Sequence, residues 1–504
     1  MQRPLLGSQS PHARYLSVAQ NVSPDHNQVE QGVGKRLSRT KPLTESGIDA
    51  KVQWIFFILG CSLLLPWNVL IAAIPYFTER LAGSSIQLSF SSYLLTACTV
   101  SNFGFLAHAT ITSKRTSPSE RARLSIYCLV FLNVLLIFST RFTCPPRIFA
   151  ALILLIGAVQ NAASSYLQTA MIAVASLYGP AAIRAMMAGP AATAVAISVV
   201  QVLSAAASIG APEETHTMNG DDTPGERSAF IFLTVSTLFL IASAGAHAWL
   251  VSMPSYQAVV AHLELGDAKP RRSVSEAALS QLRLSREGTQ AAYDEIDDNK
   301  QVIRISKANL TYEITVAYVF IVTFVCDSFL FTRNRYIDMC AWPQAVFPSV
   351  TGAVVSVNPG THYLIFTAIH LLVFNTSDFV GRYICSIPFF QIWSPKILLG
   401  MAFARTLFIP LCLMCNVGQP TISLLSVPLV NSDLLFMFIM ALLGWSNGYV
   451  STLCIISAPS LEHNPRLEGR IEDVDVAATL INFFLAGGLV LGSVANFAVM
   501  SAIH

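Results

Sequence analysis

Phe374-Asn375-Thr376-Ser377-Asp378-Phe379-Val380-Gly381-Arg382 places a carboxylate and a guanidinium four residues apart in an otherwise apolar run. On a helix this spacing puts Asp378 and Arg382 on one face, one turn apart, where they can neutralise each other. Charges at membrane depth are costly, so they usually face a water-filled cavity and mark a solute or ion path. The stretch therefore sets the expectation of a bundle of membrane helices built round such a cavity.

The rest of the chain has the composition for it. Of 504 residues, 53% are hydrophobic and 12% charged, and the mean hydropathy is +0.55. A soluble domain carries about 25% charged residues. The length suits about eleven spans of roughly 20 residues plus tails. A net charge of +2 gives no reason to propose nucleic acid as a partner. The ten cysteines are scattered, and the one close pair, Cys412-Leu-Met-Cys415, has no second pair or histidine cluster to complete a metal or redox site. No cofactor is expected.

Residues 1–50 are rich in Ser, Gln and Pro without apolar periodicity, and read as a disordered cytoplasmic tail. Apolar runs from about 54 to 253 give six spans, forming an N-terminal half over 51–253. Residues 254–311 read as a solvated cytoplasmic loop with a short amphipathic helix near Val274–Leu284. This loop contains Lys269-Pro270-Arg271-Arg272 and serines spaced for kinases. Residues 312–504 give a C-terminal half of five spans. Lys114, Arg115, Arg121 and Arg123 follow the second span, and acidic Glu213, Glu214, Asp221 and Asp222 follow the fifth. By the positive-inside rule the even-numbered loops and the N-terminal tail are cytoplasmic. The sequons at Asn21, Asn309 and Asn375 then fall in the cytoplasm or inside a helix and are expected to carry no glycan. The fold expected is an all-α polytopic membrane protein of about 11 transmembrane helices in two halves (6+5). This major-facilitator-like layout is one in which two helical halves rock about a central site.

The seventh span looks interrupted. Thr315–Val325 offers eleven residues and Ala345–Thr351 seven, each too few for ~30 Å of hydrocarbon. Removing 325–344 would join them as a span of about 21 residues. The segment is therefore suspected to be a retained intron or a gene-model error, with a re-entrant loop between half-helices as the competing reading.

The first span contains Leu65-Pro66-Trp67-Asn68-Val69-Leu70-Ile71. Together with the 374–382 stretch, this Pro-Trp-Asn closely resembles the equilibrative nucleoside transporter family. The likeness continues through Ser164–Gln168, Leu177–Pro180, Met187–Gly189, Arg405–Pro410, Trp445–Tyr449 and Asn482–Leu485. The resemblance implies that Asp378 and Arg382 hold a ribose. Carboxylate and guanidinium suit that task, one accepting from hydroxyls and the other donating to ribose oxygens. It further implies that Asn375 supports them and that Gln168 faces the base. Trp67 and Ile71 would give the base an apolar wall. For each, helix packing is the competing reading. Asn447 and Tyr449 read as packing or gate residues, and Pro190 as a departure that breaks the fifth span. His108, His247 and His370 lie in apolar runs, where a lone histidine is more often structural.

The function expected is transport of purine and pyrimidine nucleosides across a bilayer by alternating access, facilitated or proton-linked. The alternatives are a transporter of nucleobases or another small polar solute, and, less favoured, a polytopic receptor. With no catalytic constellation or phosphate loop, the chain is not expected to be an enzyme. The membrane would be the plasma membrane or a vacuolar or lysosomal one.

Overall fold

The computed structural model describes residues 49–84, 86–87, 90–112, 116–141, 145–210, 224–264, 280–329, 356–358, 360–415 and 430–503. These are nearly all helical. In chain order the helices are α1 (Ala50–Ala72), α2 (Ile74–Arg80), α3 (Phe90–Ile111), α4 (Pro118–Arg141), α5 (Pro146–Tyr178), α6 (Pro180–Gly210) and α7 (Pro224–Ser252). There follow α8 (Pro254–Glu264), α9 (Ser280–Phe329), α10 (Tyr363–Ile384), α11 (Pro395–Ala404), α12 (Phe408–Leu413), α13 (Asp433–Ser457) and α14 (Val474–Ile503). Ten stretches, with α1–α2 and α11–α12 each counted once, are long and apolar enough to cross a membrane. The charged helix α10 adds an eleventh; its 22 residues reach about 33 Å. Leu124, Phe131, Leu203, Leu238 and Ile241 are exposed on the outer helix faces, as a lipid solvent requires.

With α1–α2 as span 1 and α14 as span 11, packing follows a six-span offset. Span 1 lies on 5 and span 2 on 4; correspondingly 7 lies on 11 and 8 on 10. Between the halves, span 5 meets 8 and 10, and span 11 meets 2 and 4. Exchanging the halves maps this set of contacts onto itself.

The apolar cores tell which end is shut. One cluster draws on both halves: Val52, Leu59, Ile126, Tyr178, Ile183 and Met186 from the first, Leu398, Leu453, Ile456 and Ile481 from the second. All lie toward the end where α1 begins and α5 and α13 finish. At the opposite end each half keeps its own core, one around Leu70, Ile74, Leu94 and Phe149, the other around Val322, Phe366, Phe436 and Leu443. Among the described residues, then, the halves are joined at one end and separately packed at the other.

Several expectations need correction. The 254–311 segment is no plain loop: α8 covers Pro254–Glu264, and α9 starts at Ser280 and runs unbroken into the seventh span. That span is not short either, because Lys300–Cys326 is already long and apolar enough to cross. Residues before Thr315 supply the missing length. Asn309 is buried in α9 and accepts from Asn464 Nδ2 at 2.7 Å. The suspect segment is helical through Phe329, and 330–344 lie outside the described residues, as do Ser273 and Ser275 of the expected kinase region and the tail to residue 48. Pro190 does not break α6. Next to it, Gly189 meets Gly60 of α1 backbone to backbone, and a β-carbon at either would strike the other helix.

Candidate functional site

α10 presents Asp378 and Arg382 to the seam between the halves. The expected pair forms: Arg382 Nε donates to Asp378 Oδ2 at 2.8 Å, and the two side chains are 11% and 9% exposed. The guanidinium also reaches across the seam, Nη1 donating to the Met187 carbonyl of α6 at 3.4 Å. Taking two charges out of water is costly, and the cost is recovered only if the remaining lone pairs and protons find partners. Here the second carboxylate oxygen has one: Asn447 Nδ2 donates to Asp378 Oδ1 at 2.7 Å.

Asn447 opens a wider network. Its Oδ1 accepts from Thr323 Oγ1 of α9 at 2.9 Å and from Arg405 Nη2 at 3.5 Å. Arg405, 1% exposed, also donates to Thr323 Oγ1 at 2.7 Å, to the Leu443 carbonyl at 3.0 Å and to Ser446 Oγ. It sits on a 3-10 turn, Arg405–Leu407, that interrupts span 9 between α11 and α12. Pro410 explains the tightening, since it has no N–H for the Thr406 carbonyl. Four spans (7 to 10) thus converge on one carboxylate. The amide orientation of Asn447 is set by its neighbours: oxygen toward Arg405, nitrogen toward the anion.

Backbone contact makes this convergence possible. A β-carbon at Gly448 would fall on the Asp378 carbonyl, one at Gly444 on that of Phe374, and one at Gly381 on that of Trp445. Small residues let α10 and α13 approach until side chains as short as Asn and Asp can meet.

The other expected site residues lie apart from this cluster. Asn375, 8% exposed, donates from Nδ2 to Ser198 Oγ of α6 at 2.7 Å, so it bridges the halves. Gln168 Nε2 donates to Asn482 Oδ1 of α14 at 2.9 Å, a second bridge. Ile71 is fully packed in the apolar core of the first half at its separate end, and Trp67 packs against that core from a half-buried position. Asn68 turns back on its own helix, donating to the Leu64 carbonyl at 3.0 Å. His370 is wholly buried between the Phe366 and Phe436 rings. His108 pairs with the Tyr166 hydroxyl at 2.6 Å. Asn447 and Arg405 are what sequence reasoning missed: one was read as a packing or gate residue, and the other entered only within the family-like stretch Arg405–Pro410.

Asn447→Leu keeps the branched side-chain shape but strips Asp378 Oδ1 of its donor. We expect the protein to insert normally and its solute flux to fall roughly tenfold, the cost of one hydrogen bond to a charged group. Uptake measured per inserted molecule checks this.

Two helical halves, shut together at one end and carrying a buried ion pair at the seam where they meet, define a polytopic membrane carrier. The chain belongs to the nucleoside transporter family, whose model matches residues 154–501. It is 23% identical over 493 residues to equilibrative nucleoside transporter 1 of Rattus norvegicus, covering 89% of this chain and 96% of the relative. Equilibrative nucleoside transporter 2 of Homo sapiens is 26% identical over 483 residues, at 88% and 95% coverage. A solved structure that aligns along most of the chain is the fucose:proton symporter of E. coli, with a TM-score of 0.49, 14% identity, and 88% and 92% coverage.

Proposed function

We propose that this protein carries nucleosides across a membrane by alternating access, with Asp378 and Arg382 as the sugar-binding pair. The observation that carries the reading is the placement of that pair. It is buried at the seam where α10 meets α6, close to the core that both halves share. A ribose is uncharged and presents hydroxyls, each both donor and acceptor. Each Asp378 oxygen makes one of the hydrogen bonds described here, so lone pairs remain to accept from hydroxyls, and Arg382 keeps N–H groups to donate. Asn375 and Gln168 already bond across the halves, so a solute that engages them competes with contacts that hold the halves together. Trp67, half-buried on α1, is assigned to the base wall, with Ile71 behind it.

With the N-terminal tail in the cytoplasm, as the loop charges argue, the shared core marks the cytoplasmic end. The described state then opens away from the cytoplasm. Labelled adenosine and uridine flux into proteoliposomes tests the function. Two preparations, the full chain and the chain without 325–344, also test whether that segment belongs to the working protein. Saturable uptake from either establishes nucleoside transport; none from inserted, folded protein refutes it.

A further inference from the structure

Asn482 is 0% exposed, and while its Oδ1 takes the bond from Gln168, its Nδ2 meets no hydrogen-bond partner. Buried amide donors are nearly always met, so an unmet one calls for an explanation. Its neighbour in sequence, Phe483, stacks on Phe103 of α3, with ring centroids 5.3 Å apart and planes 21° from parallel. Consecutive residues of α14 thus carry an amide pair and an aromatic pair, each shared between the halves. They lie where the common core ends, since Leu167 and Ile481 still belong to it. Paired amides with one unmet buried donor are the chemistry that recognises a nucleobase along its hydrogen-bonding edge.

We infer that Asn482 is a specificity-determining residue that touches the base of the transported nucleoside, acting with Gln168 as a two-amide clasp. The inference rests on the nucleoside reading above. In the empty protein the clasp closes on itself. As the halves part, the base edge enters between the amides and exchanges the Gln168–Asn482 bond for bonds to both. Asn482 Nδ2 then donates to a keto oxygen or ring nitrogen, and Gln168 pairs with the adjacent position. Base binding and separation of the halves are thereby one event, because the solute gains contacts only in the parted state.

The test uses the full-length protein in proteoliposomes. KM and kcat are measured for adenosine, inosine, cytidine and uridine in wild type, Asn482→Asp and Asn482→Leu. The substrates form two pairs that exchange an exocyclic amine for a keto oxygen. A carboxylate at 482 can only accept, so Asn482→Asp should shift both pairs toward the amino member by about tenfold. Asn482→Leu, which keeps the shape, should raise KM for all four by about tenfold with kcat retained, and serves alone if the aspartate variant does not insert. Unchanged KM with an equal fall in kcat for every nucleoside would mean that Asn482 only packs helices, and would overturn the inference. Wild-type flux is read first. If it carries none of the four, the nucleoside reading fails and takes this inference with it.

Discussion

Asp378→Asn will leave the protein in the membrane and remove at least about 99% of its nucleoside flux. The substitution changes one oxygen to an amide nitrogen and hardly alters volume, so insertion should survive. Three interactions change together. Arg382, at 11% exposure, loses the anion that offsets its charge, and truncating one partner of a buried pair costs about 3–5 kcal/mol. Asn447 Nδ2 would face either a weaker acceptor or another amine. A sugar hydroxyl would meet a donor where it needs an acceptor. A hundredfold loss corresponds to about 2.7 kcal/mol, just under that range, so about 99% is the least loss to expect. Flux per inserted molecule decides it, with surface labelling as the control. Retention of more than about a tenth of wild-type flux would place the sugar elsewhere.

Gly448→Val should be as damaging by a different route. A side chain there would collide with the Asp378 carbonyl, which is backbone and cannot swing aside. α10 must move away from α13, and the Asn447–Asp378 bond and Gly444–Phe374 packing go with it. We expect little folded protein, a lower melting midpoint in detergent and no measurable flux. Gly448→Ala should be milder in the same direction. Gly400→Ala is the matched control: nothing lies within 4 Å of the added carbon, and transport should be unchanged.

What the sequence revealed follows from how local each signal is. Asp378 and Arg382 were legible because a helical i,i+4 pair needs only one segment to be read, and opposite charges in an apolar run have few other meanings. The bundle and its span count were legible because hydropathy is also local. Asn447 was not, because an amide in a span looks the same whether it packs helices or holds a carboxylate; only the partner on α10 separates the two. Arg405 was hidden in the same way, its acceptors coming from Leu443, Ser446 and Thr323 on other spans. The start of α9 was missed for another reason. Its first turns are polar, so hydropathy reports a loop where the backbone continues as helix, and the apparent break of the seventh span followed from beginning it too late. Gln168 was placed in the site on resemblance, while its bond to Asn482 required the fold.

The glycine-lined seam between α10 and α13 has a consequence for sidedness. Contact between backbones leaves no room for the two helices to slide, so Asp378, Arg382, Asn447 and Arg405 travel as one unaltered template whichever face of the membrane is open. Their share of the binding free energy is then the same at both faces. Any difference between inward and outward apparent affinity must then arise outside that template, from the Gln168–Asn482 pair, the base wall on α1 and the α6 residues Ser198 and Met187 that meet α10 across the seam. In a carrier that runs downhill, substitutions on α10 should shift the two affinities in parallel, and substitutions on α5 or α6 should set how unequal they are.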